Sequence, residues 1–222
     1  MYWSDSAGCP CSPRGACVAG SAGGFTLIEM IVVMAIILLL AAILLPALET
    51  ALGKGEATSC LANMRHLGMA VRLYCDDYDG RIVPALLPHP AAPKGVCWDV
   101  TIQPYLNNRL ILLCPSDECP RRLPGAVSEL HSYGINLALA QVGGYVGSSL
   151  MLSEIDDPVG TILLCELNGE RFATHGVDYS VGGLERVAKR RHRNGSNYTF
   201  VDGHAKWLRA EQTVEPELMW DP

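Results

Sequence analysis

From Phe25 to Leu45 the chain is apolar on every face. After Gly24 it reads FTLIEMIVVMAIILLLAAILL, interrupted by one carboxylate, Glu29. A helix of about 21 residues rising ~1.5 Å each spans ~31 Å, which matches the ~30 Å hydrocarbon core of a bilayer. This pattern predicts a transmembrane helix over 25–45. Pro46 follows, and a proline inside a helix removes a backbone hydrogen bond and bends the axis. Beyond it Ala57, Cys60, Leu61, Met64, Leu67, Val71 and Tyr74 recur at steps of three and four, while Lys54, Glu56, Asn63, Arg65, His66 and Arg72 fill the other faces. That period is an amphipathic helix. Residues 46–80 therefore read as a continuation of the same helix, stopped at Asp79-Gly80.

The rest of the chain, 81–222, carries shorter patterns. Pro84, Pro88, Pro90, Pro93 and Pro104 make 81–104 loop-like, with a short helix around Asp99–Leu106. Arg109–Leu113 reads as a short strand or helix end, Ser132–Asn136 as a turn-like link and Met151–Ile155 as a helical turn. Thr161–Cys165 (TILLC) is a compact buried strand. Asn197–Val201 (NYTFV) and His204–Leu208 (HAKWL) flank Asp202-Gly203, the pattern of a β-hairpin with a two-residue turn. The expected fold is α+β: a long kinked helix, its first half transmembrane, packed on a small antiparallel sheet. Residues 1–24 show no period and few large apolar side chains, so they read as an unstructured leader.

Charge and cysteine content narrow the function. The 222 residues carry a formal net charge of −6, and no basic patch of the kind nucleic acids require is present. The one basic cluster, Lys189–Arg193 (KRRHR), reads as a solvated turn. Of nine cysteines, Cys9, Cys11 and Cys17 precede the apolar run and six follow it. Cys114 and Cys119, in CPSDEC, form the best candidate disulfide. Half of a zinc site is the weaker reading of the same spacing, because no second pair follows. Buried thiols remain an open reading for Cys75 and Cys165. Glu29 is the anomaly, since a charge at bilayer depth costs at least ~2.5–3.5 kcal/mol. It must snorkel to the membrane surface or find a partner.

Gly24 to Glu29 (GFTLIE) with its apolar run resembles the N-terminus of type IV pilins and type II secretion pseudopilins. The resemblance implies cleavage after Gly24 by a membrane peptidase, N-methylation of Phe25, and a helix kink at Pro46. It also implies that Glu29 pairs with the α-amino group of a neighbouring subunit and sets the register of assembly. His192, then nine residues, then Asp202-Gly203 is similar to the H-X9-DG segment that ends a large group of prepilin-type bacterial proteins. Cys60, CPSD at 114–117 and SYGIN at 132–136 resemble the same group. The leader departs from the family pattern: it is 24 residues long, rich in cysteine and nearly uncharged. The implied protein is a structural subunit in the bacterial inner membrane, single-pass, with its globular domain in the periplasm. Its implied partners are the prepilin peptidase/N-methyltransferase, other pilin-like subunits and a secretion or pilus assembly machinery. Its fibre would lie in the periplasm or at the cell surface.

Candidate chemistry is sparse. His192, Asp202 and His204 could converge on a metal, but a His192–Asp202 hydrogen bond pinning the loop to the hairpin is the favoured reading. Asp76, Asp77 and Asp79 end a helix and lack the ligand spacing of a calcium loop. No G-x-S-x-G, P-loop or H-E-x-x-H occurs. No catalysis, cofactor or metal is expected. The rival reading is a membrane-anchored binding or metal-dependent protein that uses a prepilin-type export signal.

Overall fold

The computed structural model describes residues 25–120, 122–123, 126–141, 147–168, 176–177, 183–214 and 218–222. Gly24, the leader and its three cysteines lie outside the described residues. The chain divides after Pro46 into two units, Met1–Pro46 and Ala47–Pro222. One helix, α1 (Leu27–Asp77, 51 residues), runs through that division with Pro46 inside it.

In the first unit the side chains of α1 stay exposed all round, as an element whose every face is apolar must until something covers it. In the second unit the period takes over. Cys60, Met64, Leu67, Gly68, Ala70, Val71, Tyr74 and Cys75 are buried along one stripe, and the polar residues between them face outward. The helix ends where expected. Asp79 takes φ 54° and Gly80 φ 78°, and the Gly80 N–H donates to the Cys75 carbonyl (2.8 Å), the closing bond of a Schellman turn.

The stripe packs on a five-stranded sheet of β3 (Tyr133–Asn136), β4 (Ile162–Glu166), β5 (Gly176–Val177), β6 (Ser196–Phe200) and β7 (Ala205–Leu208). Their order across the sheet is β5-β3-β4-β6-β7. Neighbours pair antiparallel except at one edge, where β5 runs parallel to β3. A small antiparallel ribbon, β1 (Leu86–His89) with β2 (Ala92–Cys97), leads into a short helix α2 (Trp98–Thr101). A second short helix, α3 (Leu137–Ala140), follows β3.

β4 is buried along its whole length. A register shift between Ile162 and Leu164 lets it serve two cores. Leu163 and Leu164 join α1 in the larger core, while Ile162 and Cys165 join Tyr198, Phe200 and Trp220 on the other side. Helix and sheet are also tied by polar bonds: Thr199 Oγ1 donates to the Met64 carbonyl (2.9 Å) and Asn197 Nδ2 reaches the Ala57 carbonyl (3.5 Å).

Three sequence readings need correction. Ser132–Asn136 is mostly the interior strand β3 rather than a link; Gly and Asn in a short run hid its strand character. The ribbon β1–β2 was masked by prolines, two of which (Pro88, Pro93) sit within its strands, as a two-stranded edge allows. The terminal hairpin closes through Val201–His204, four residues instead of two. Gly203 N–H donates to the Phe200 carbonyl (2.9 Å) and Phe200 N–H to the His204 carbonyl (2.9 Å).

Gly68 lets the helix approach the sheet. A Cβ there would stand 2.5 Å from Thr199 Cγ2 and 3.1 Å from the Gly203 carbonyl oxygen, whereas one at Gly53 would meet nothing within 4 Å. Gly68→Val is expected to destabilise the protein by about 1–3 kcal/mol through overpacking. Gly53→Ala is expected to stabilise its helix by about 0.5–1 kcal/mol. Urea unfolding of the detergent-solubilised chain checks both. Equal effects of the two would contradict this packing.

Candidate functional site

His192 is set by a tight turn. Arg193 and Asn194 both take positive φ (53° and 63°), and His192 and Gly195 exchange two backbone hydrogen bonds (3.0 and 3.2 Å). The Trp207 indole N–H donates to the His192 carbonyl (2.7 Å) and lies so close over Gly195 that any Cβ there would strike its ring. The turn aims the His192 ring inward, where Nε2 lies 2.8 Å from Glu166 Oε1 and 3.4 Å from Cys114 Sγ.

Glu166, the last residue of β4, is fully buried. Its Oε2 accepts from Ser196 Oγ (2.7 Å) and the Asn197 N–H (3.1 Å). Its Oε1 accepts from His192, from Asn197 Nδ2 (3.2 Å) and from the Cys60 thiol (2.6 Å). Cys60 Sγ is in turn 3.1 Å from the Tyr133 hydroxyl. Burial opposes the charge on Glu166, but the bond from His192 and those from Cys60 and Ser196 outweigh it and hold its carboxyl below the usual value. Burial likewise pushes His192 down, yet its bonds to Cys114 and Glu166 raise it to about 9. Cys114, beside the Cys60 sulfur and the His192 imidazole, falls to about 6, whereas burial drives Cys60 well up. The centre thus gathers an imidazole, two cysteine sulfurs and a carboxylate, all buried.

This geometry revises the expected partners. His192 pairs with Glu166, not Asp202. Asp202 is partly exposed at the hairpin turn, where Oδ1 accepts from the His204 N–H (3.0 Å) and sits 2.6 Å from His204 Nδ1. Cys114 and Cys119 are not joined by a disulfide: Cys114 is buried in the centre and Cys119 is exposed. The basic cluster is solvated at Lys189, Arg190 and Arg193. Arg191 instead is buried against Asp117 (2.9 Å) and the Leu167 carbonyl (2.7 Å), which ties the CPSD loop to the His192 turn.

The N-terminal segment is built differently. Thr26 is the residue before the helix, and it forms a reciprocal cap with Glu29. Thr26 Oγ1 accepts from the Glu29 N–H (3.3 Å), and Glu29 Oε2 accepts from the Thr26 N–H and hydroxyl (2.7 Å each). This is a capping box. Beyond it the apolar side chains project outward, Phe25 being 79 % exposed.

Residues 21–45 match the prokaryotic N-terminal methylation motif. The motif is a prepilin-type export signal. It implies processing by a prepilin peptidase and points to a structural subunit that works with pilin-type machinery. With the long apolar helix, it fits a membrane-anchored protein. The comparisons with curated proteins and with solved structures give no match. The matched residues end ahead of Pro46.

The sequence reading missed two residues of consequence. Glu166 stands at the end of TILLCE, where an acid closing an apolar strand was the available signal. Thr26 stands three residues before Glu29, the spacing of a capping box. Glu166→Ala is expected to destabilise the domain by about 3–5 kcal/mol, since it removes the acceptor shared by five buried donor contacts and leaves a cavity among them. Asp202→Asn is expected to change stability by no more than about 0.5 kcal/mol. Thermal or urea unfolding discriminates them, and a larger loss from Asp202→Asn would reinstate that residue as the partner of His192.

Proposed function

We propose that this chain is a structural pilin-like subunit. It is exported as a prepilin, cleaved after Gly24, N-methylated on Phe25 and assembled into a pseudopilus or pilus-like fibre of a type II secretion system or a related machine. The carrying observation is the methylation motif at the head of an apolar helix whose side chains lie uncovered. Such a surface requires lipid before assembly and neighbouring helices after it. In this reading the subunit waits in the bacterial inner membrane with its domain in the periplasm. Its partners are the peptidase/N-methyltransferase, other pilin-like subunits and the assembly machinery, and its role is structural rather than catalytic.

Glu29 would then act twice. Within the chain it caps α1 through Thr26. Between chains its carboxylate would meet the α-amino group of a neighbour's Phe25. A buried charge is tolerable when paired with its opposite and costs several kcal/mol when it is not. Helices would therefore dock at the one stagger that satisfies both ions. The segment after Pro46 would be carried out of the membrane by a bent axis. The H-X9-DG residues would serve the fold, with His192 pinning its loop through Glu166 and with Asp202 and Gly203 shaping the hairpin.

Two measurements test the reading. Mass spectrometry of the chain from a host with the peptidase is expected to find N-methyl-Phe25 as the first residue; a mature chain retaining residues ahead of Phe25 overturns it. Glu29→Ala is expected to leave membrane insertion intact and to cut incorporation into sedimentable assemblies at least ~10-fold, the effect of roughly 1.4 kcal/mol in docking. Wild-type incorporation by the mutant removes the register role.

A further inference from the structure

We propose that Cys60, Cys114, Glu166 and His192 form a structural binding site for a divalent metal ion of the zinc class. The four residues come from α1, the CPSD loop, the end of β4 and the turn before β6, and they are brought together by the fold. Each presents one donor atom, and all four atoms lie within 4.8 Å of one another. All four side chains are buried. Two sulfurs, an imidazole nitrogen and a carboxylate oxygen are the donors zinc takes in four-coordinate sites. Two thiolates disfavour calcium and magnesium, which take oxygen donors.

The distances fit a tetrahedron after a small opening. Metal–sulfur bonds of about 2.3 Å and metal–nitrogen or –oxygen bonds of about 2.0–2.1 Å place neighbouring donors roughly 3.3–3.8 Å apart. Cys114 Sγ and His192 Nε2 are already 3.4 Å apart. Glu166 Oε1 lies 2.6 Å from Cys60 Sγ and 2.8 Å from His192 Nε2. Those two contacts are proton-bridged and would open by roughly 0.5–1 Å once an ion of tetrahedral bond lengths replaced the protons. Cysteine and histidine bind a metal in their deprotonated forms, so the protons bridging these contacts would be released to water as the ion entered.

An outer layer that would orient the donors is present. Ser196 Oγ and the Asn197 N–H hold the second oxygen of Glu166. Tyr133 bonds the Cys60 sulfur. The Cys114 N–H donates to Ser132 Oγ (3.0 Å), and the His192 backbone is fixed by Trp207. Such partners set donor direction and tune affinity. With every donor buried and four protein ligands supplied, no coordination position is left for a substrate, so the ion would brace α1 against the sheet. The inference is independent of the fibre reading, because metal content is a property of the purified chain whatever it assembles into.

The test is elemental analysis of the full chain, purified in detergent without chelator and equilibrated with zinc, together with cobalt(II) substitution read by absorption. One zinc per chain, retained through dialysis, and a cobalt spectrum with thiolate charge-transfer bands are expected. Cys60→Ser, Cys114→Ser and His192→Ala should lose the stoichiometric ion, and Cys75→Ser and Cys165→Ser should keep it. Ser196→Ala, milder for folding, should weaken affinity about 10–100-fold. Wild-type chain with no retained zinc, zinc lost only when Cys9, Cys11 and Cys17 are replaced together, or a Cys60–Cys114 disulfide found by peptide mapping would each overturn the proposal.

Discussion

A single buried carboxylate governs how this domain holds together. Glu166 sits fully buried at the end of the middle strand, and it is tolerated because five donors converge on its two oxygens. Those donors belong to the helix, to the His192 turn and to the first two residues of β6. A hydrophobic side chain there would pack against the same helix but would take away the acceptor that the His192 ring, the Ser196 hydroxyl and the Asn197 N–H share. The carboxylate therefore specifies where the helix crosses the sheet more than it adds to net stability. Gly68 and Thr199 then fix how closely the two approach.

The two halves of α1 meet opposite demands with one backbone. Ahead of Pro46 the helix is apolar on all faces and its side chains lie largely exposed. Behind it one stripe is buried and the rest is polar. A helix that satisfies its backbone internally can pass from one regime to the other without leaving polar groups unpaired, which a strand or loop could not do in lipid. The division of the chain at Pro46 coincides with that change of surroundings.

What was legible in the sequence was what local periodicity encodes. The extent of α1, its stop at Asp79-Gly80, the β4 and β6–β7 strands and the short helices around 99–106 and 152–154 follow from spacing, Gly and Pro. What escaped was set by contacts between distant residues. β3 is a strand because it pairs with β4, not because SYGIN has strand composition. His192 was recognised as important, yet its partner was sought ten residues away at Asp202 and found at Glu166, at the end of β4, the strand paired with β6. Cys114 was matched with its near neighbour Cys119, while the fold delivered Cys60 from the helix. Short sequence separation is a weak guide wherever an interior is assembled from elements far apart in the chain.

The reciprocal cap at the head of α1 bears on the proposed maturation. Thr26 and Glu29 satisfy the first exposed amides of the helix from within the segment that begins at Phe25. Both capping partners lie on the mature side of the proposed cleavage point. A cut ahead of Phe25 would therefore remove neither of them, and maturation would change the charge at the tip of the helix while its cap stayed in place.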